Sequence, residues 1–161
     1  MKRILKRFLF PTIITILVIV IFCLLALKGG QYDDLIPYTT YQLMLGANYK
    51  NTAVEFFAVN PLGIIVLILL SVGALISWFD FKYDKFVVSG IFCLLTIFIM
   101  LLPITVNKTE TAKYLLQVIE AKGDGFMTIL AGVYTCAAIT LVISCFALFK
   151  GKFNSIFKIS K

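Results

Sequence analysis

The stretch 126–149, FMTILAGVYTCAAITLVISCFALF, decides how the chain is read. It runs 24 residues without Asp, Glu, Lys or Arg, and about 20 apolar residues suffice for a helix to cross a bilayer. Thr128, Gly132, Cys136, Thr140 and Ser144 fall at every fourth position in it. On a helix these small residues form a ridge that lets neighbouring helices approach closely, a main source of association in lipid. Four residues turn a helix through about 400°, so each rung drifts by about 40°. The ridge therefore sweeps around the helix. It meets one helix at a slant, or two neighbours in succession, and packing within the chain competes with a seam between chains.

Three more blocks share this character: 8–27, 61–79 and 86–106, each free of charged residues. They are dominated by bulky Ile, Leu, Val and Phe. Across the 161 residues, 61% are hydrophobic and 14% charged, against about 45–50% and about 25% in soluble domains. The expected fold class is all-α: a polytopic membrane protein with four transmembrane helices in a bundle, at 8–27, 61–79, 86–106 and 126–149. The four spans leave no room for a separate soluble domain, so 1–161 is read as one membrane domain. The first block exceeds the apolar core of a cleaved signal peptide and lacks a small-x-small cleavage site after it, so it reads as a retained anchor.

The net charge is +7, but its placement argues against nucleic acid. Lys2, Arg3, Lys6 and Arg7 precede the first block, and Lys150, Lys152, Lys158 and Lys161 follow the last. Basic residues beside spans set orientation and meet anionic head groups. With Lys82 and Lys85, this side carries twice the Lys and Arg of the other, which has Lys28, Lys50, Lys108, Lys113 and Lys122. The bias places both termini in the cytoplasm and the chain in the plasma membrane as a multi-pass protein.

The segment 28–60 is then a long first outer loop, well beyond the usual connection of about 4–6 residues. It gathers Tyr32, Asp33, Asp34, Tyr38, Tyr41 and Tyr49. These tyrosines form either an interfacial belt or a recognition surface for a partner. Thr52 with Glu55 has the form of a capping box, predicting a helix from about 52 that bends at Pro61 into the second span. The short link 80–85 makes the second and third spans antiparallel neighbours. Asn107 with Glu110, followed by Ala112, Leu115, Leu116 and Ile119 at helical spacing, predicts an amphipathic outer helix near 108–122. Lysines alternate with Phe153, Ile156, Phe157 and Ile159 at 150–161, the pattern of a surface helix.

Chemistry is sparse. No histidine occurs, which removes His-dependent catalysis, bis-His haem and most zinc sites. Cys23, Cys93, Cys136 and Cys145 lie inside the apolar blocks without a Cys-x-x-Cys pair and read as small packing residues. No ionisable residue lies within a block, unlike ion- and proton-coupled transporters. Asp33-Asp34 is the one adjacent carboxylate pair, and neighbours in an extended segment point apart. No catalytic, cofactor-binding or metal site is expected. The plan of four spans with a larger first outer loop resembles that of claudins and related tetraspan proteins. The first loop lacks their Trp-Gly-Leu-Trp segment and Cys pair, so the resemblance is one of topology and transfers no residue. The expected function is non-enzymatic association, as a small accessory or scaffold subunit of a membrane complex or as a homo-oligomer. Its partners would be the lipid bilayer and other membrane subunits. A pore-forming or transporter-associated subunit is the alternative, with a lining from Thr12, Thr15, Thr96 and the fourth-span ridge. A lipid-acting membrane enzyme comes third.

Overall fold

The computed structural model describes residues 2–32, 38–48, 53, 55–79, 83–106, 108–110, 112–114 and 127–150. The chain is mostly helical. Four long helices, α1 (Lys2–Leu24), α3 (Pro61–Ile76), α4 (Asp84–Leu101) and α5 (Ala131–Leu148), form a bundle, and a short helix α2 (Thr40–Leu45) packs on one end of it. By length and composition, α4 and α5 are candidate membrane-spanning helices; Phe8–Leu24 and Pro61–Ile76 are shorter apolar helices.

Local sequence signals mark the starts of α3 and α4, while α1 begins at Lys2, ahead of the expected residue 8. Pro11 sits inside α1. At α3, Asn60 accepts a hydrogen bond from the Leu62 amide (3.0 Å) and Pro61 takes the first helical position, where its missing N–H costs nothing. Asp84 opens α4, and a carboxylate is favoured at that end of the helix dipole.

The core runs the length of the bundle. Ile14, Val18 and Ile21 of α1, Val66 and Leu70 of α3, Phe92, Leu95 and Ile99 of α4, and Val133 and Ile143 of α5 are buried together. The outward faces are apolar as well: Ile16 and Ile19, Ile68 and Leu75, Leu94 and Ile97, Leu141 and Val142 are all exposed. Helices that are apolar all round belong in a large core or in lipid.

The expectation of an all-α chain is corrected at one end of the bundle. Among the described residues five short strands occur: β1 (Lys28–Tyr32), β2 (Tyr38–Thr39), β3 (Ala47–Asn48), β4 (Glu55–Phe57) and β5 (Met127–Ile129). They form an antiparallel sheet of order β2-β1-β5 and a two-stranded sheet β3-β4. In the first, Gly30, Gln31 and Tyr32 pair with Ile129, Thr128 and Met127. These partners lie about a hundred residues apart in sequence, and local periodicity carries no trace of them.

Three boundaries move with the strands. The helix expected from about 52 is replaced by β4 at Glu55–Phe57; a capping-box spelling at Thr52 and Glu55 does not outweigh strand pairing with Ala47 and Asn48. The last helix starts at Ala131 and not near 126, because Met127–Ile129 is the strand that closes the first sheet. Near the helix expected at 108–122, Thr109, two residues beyond the expected Asn107, takes the capping role: Thr109 Oγ1 accepts from the Ala112 amide (3.2 Å), and 110 and 112–114 are helical. The rest of the expected helix, to 122, and the expected surface helix at 150–161 lie outside the described residues, apart from Lys150.

Candidate functional site

The end of the bundle where α1 and α4 stop and α3 and α5 start carries a folded cap made of α2 and the five strands. It contains all three described residues expected to act in recognition, Tyr32, Tyr38 and Tyr41. It begins at the exit of α1. The amides of Thr40 and Tyr41 donate to the carbonyls of Leu27 and Leu25 (both 3.0 Å), and the Leu130 amide donates to Gly29 O (3.0 Å). The start of α2, the start of α5 and the end of α1 thus share one node.

Gly132 makes that node possible. A methyl group there would lie 2.6 Å from Lys28 O, 2.9 Å from Leu27 O and 2.9 Å from Thr40 Oγ1. Thr40 is fully buried, and its hydroxyl donates to Leu27 O (3.4 Å).

α2 carries the capping box that the sequence placed elsewhere. Thr39 Oγ1 accepts from the Gln42 amide (3.2 Å), and Gln42 Oε1 accepts from the Thr39 amide (2.7 Å). The reciprocal pair satisfies two donors at the helix start. Gly46 ends α2 with φ at +91°, a conformation glycine adopts without penalty. From there the chain enters β3, and the Asn60 amide returns to Met44 O (2.9 Å). Thr109 ties β4 to the chain that follows α4: its hydroxyl donates to Glu55 O (2.8 Å) and its amide to Phe56 O (3.2 Å).

Aromatic side chains fill the cap. Tyr38 stacks on Phe56 with ring centres 5.7 Å apart and meets Phe57 edge-on at 4.7 Å. All three are buried, so Tyr38, expected on a recognition surface, belongs to the cap's interior. Tyr41 is half-buried; burial, reinforced by nearby Cys23 and Cys136, holds its phenol above the usual 10.0. It is a neutral hydroxyl at physiological pH. Tyr32 lies in β1 opposite Met127. Asp33, Asp34 and Tyr49 fall outside the described residues.

The accessible face of the cap is different. Gln42, Leu45, Gly46, Ala47, Asn48, Glu55 and Phe57 line an open groove of about 760 Å³. Gln42, Asn48 and Glu55 are exposed along it, offering amides and one carboxylate. Sequence reading singled out tyrosines and passed over these residues, because a strand pair and a short helix had to form before they shared a face.

The small-residue ridge is distributed over two neighbours. Thr128 lies in β5 and not on the helix. Gly132 faces the α1 exit, as above. Lower on α5, Thr140 Oγ1 and Thr96 Oγ1 are 2.9 Å apart, and Ser144 Oγ lies 3.0 Å from Ser89 Oγ and donates to Ser89 O (2.9 Å). Cys136, Thr140 and Ser144 are all buried. Of the hydroxyls considered as a pore lining, Thr96 is thus paired to α5, while Thr12 and Thr15 donate to the carbonyls of Phe8 and Pro11 in their own helix. No buried side-chain polar atom lacks a partner among the described residues. Ser144→Ala should destabilise the folded protein by about 1 kcal/mol, and a Ser89→Ala/Ser144→Ala cycle should give coupling of roughly 0.6 kcal/mol, the usual scale for interhelical hydroxyl pairs in membranes. Denaturant titration of the four species in detergent measures both.

Among the described residues there is no group of three or more His, Cys, Asp or Glu placed to hold a metal ion. Comparison of the chain with family models, characterised proteins and solved structures gives no match.

Proposed function

We propose that the chain is a four-span protein of the cell membrane, with both termini on the cytoplasmic side, that works by association rather than catalysis. The cap is then its outer face, and the groove of Gln42, Asn48 and Glu55 is the surface it presents to another membrane protein or to a second copy. One observation carries this reading: helices whose outward faces are exposed and apolar end in a folded cap with an open polar groove. A loop that served only to connect two spans gains nothing from a capping box, two sheets and a buried aromatic cluster, since ordering each residue costs about 1–2 kcal/mol of backbone entropy. The two shorter helices fit the reading because apolar residues continue beyond them: Leu25–Leu27 follows α1, and Trp78 and Phe79 follow α3 after Ser77.

Site-specific photo-crosslinking in native membranes tests it. A photoreactive residue at Asn48 should give one discrete adduct, and the same residue at lipid-facing Ile68 should give none. An adduct at twice the chain's mass assigns self-association; a larger discrete species assigns a different partner. No adduct at Asn48, or the same pattern from both positions, overturns the role of the groove.

A further inference from the structure

The spanning helices carry exposed apolar residues at both ends, and their spacing repeats. At the end opposite the cap, Phe8, Trp78, Phe79, Phe86 and Phe149 are exposed, with Phe8 and Trp78 rings 6.0 Å apart. Trp Nε1 of this cluster donates to Thr15 (3.0 Å). Aromatic residues mark a membrane–water boundary. At the cap end, Leu27 just beyond α1, Val59 just before α3 and Ile104 just beyond α4 are also exposed, Ile104 at 74%. From Phe8 to Leu27, from Val59 to Trp78 and from Phe86 to Ile104 the chain advances 19, 19 and 18 residues. Their helical parts, 8–24, 61–76 and 86–101, rise about 24–26 Å at about 1.5 Å per residue, and the apolar turn residues beyond them extend each run toward the hydrocarbon thickness of about 30 Å. α3 alone, at 16 residues, reaches only about 24 Å. Polar groups follow at once beyond the rim: Lys28 after Leu27, Thr105 after Ile104.

We infer that the cap is seated in the outer leaflet and does not stand off in water: Leu27, Val59 and Ile104 form an apolar rim that contacts lipid at the acyl–head-group boundary. The inference rests on the four-span reading. It commits to lipid as the occupant because the rim continues the lipid-facing helix surfaces at the same spacing on three helices. The groove above the rim is left in water, held at a fixed height over the membrane surface. A partner would therefore reach it along the bilayer.

Tryptophan fluorescence separates this inference from the reading beneath it. In a Trp78→Phe background, single tryptophans replace Ile104, Val59 or Leu27, with a reference at mid-helix Ile97. Each protein is placed in phosphatidylcholine vesicles brominated either near the head-group end of the acyl chain or deep within it. Three rim positions keep the test open if one variant misfolds. The rim tryptophans should emit to the blue and lose intensity to shallow bromines, and Ile97→Trp should lose it to deep bromines. Rim tryptophans quenched by aqueous iodide and not by bromines, with Ile97→Trp still quenched by lipid, would overturn the seated cap alone. Rim tryptophans shielded from both quenchers would show that protein covers the rim, which also overturns it. An Ile97 position untouched by bromines would overturn the spanning reading itself.

Discussion

Gly132→Ala is expected to destabilise the folded protein by about 3 kcal/mol or more, the upper range for forcing extra volume into a packed site. The added carbon would meet Lys28 O at 2.6 Å and Leu27 O at 2.9 Å. Both obstacles are backbone, and both carbonyls belong to the node that joins α1, α2 and α5. Leu27 O already accepts from the Thr40 amide and hydroxyl, so it cannot retreat without breaking the start of α2. Gly132→Leu should prevent folding altogether. Gly90 in α4 supplies the control: an added methyl there has nothing within 4 Å, and Gly90→Ala should be neutral or stabilise by up to about 1 kcal/mol through helix propensity. Denaturant titration of folded monomer in detergent, read beside the oligomeric state, distinguishes the roles of the ridge. Loss of folded monomer follows from the contacts described here; loss of an oligomer with the monomer intact would assign Gly132 to a seam between chains.

Asp84→Asn should cost about 3 kcal/mol, because it removes the carboxylate from an ion pair drawn largely out of solvent. Asp84 at the start of α4 and Lys150 just beyond α5 are paired, with side chains only 12% and 17% exposed. The Lys150 ammonium also lies 4.9 Å from the centre of the Phe10 ring of α1, and Phe10 stacks on Phe146 at 5.4 Å. Three helices are thus fastened at the end opposite the cap. Lys150→Met should be milder, since a carboxylate at a helix N-terminus keeps the favourable field of the helix dipole and the hydrogen bond from the Lys85 amide (2.6 Å). The double variant Asp84→Asn/Lys150→Met should recover most of the loss, as replacement of whole buried pairs commonly does. If the three variants lose stability additively, the pair is not coupled and this account fails.

Several features were legible in the residues themselves. The four apolar blocks and the basic excess at one set of ends need only composition. Pro61 at a helix start and the antiparallel α3–α4 link follow from local rules. The drift of the ridge around its helix follows from helix geometry, which left one neighbour or two open; in the fold Gly132 lies against the α1 exit, and Thr140 and Ser144 lie against α4. The cap was not legible. Thr52 and Glu55 spell a capping box as well as Thr39 and Gln42 do; the second pair forms one, Thr52 lies outside the described residues, and Glu55 is in a strand. The choice was made by β4, whose partners Ala47 and Asn48 leave Glu55–Phe57 extended. Tyr38 looked like a surface tyrosine until Phe56 and Phe57 closed on it. The groove residues Gln42, Asn48 and Glu55 carried no signal at all, being ordinary polar residues of a loop.

The sequence by itself determined where the chain is apolar, how long each apolar run is and which ends carry positive charge, because hydrophobicity and charge are properties of single residues summed over a window. Only the tertiary structure decided where the last helix begins, what the small residues touch and which loop residues share a face. Those depend on β1 meeting β5 across most of the chain, and pairings at that distance leave no period in the residues that make them. The stretch at 126–149 shows both: its apolar length is read directly, while its first residues are a strand because of a segment near residue 30.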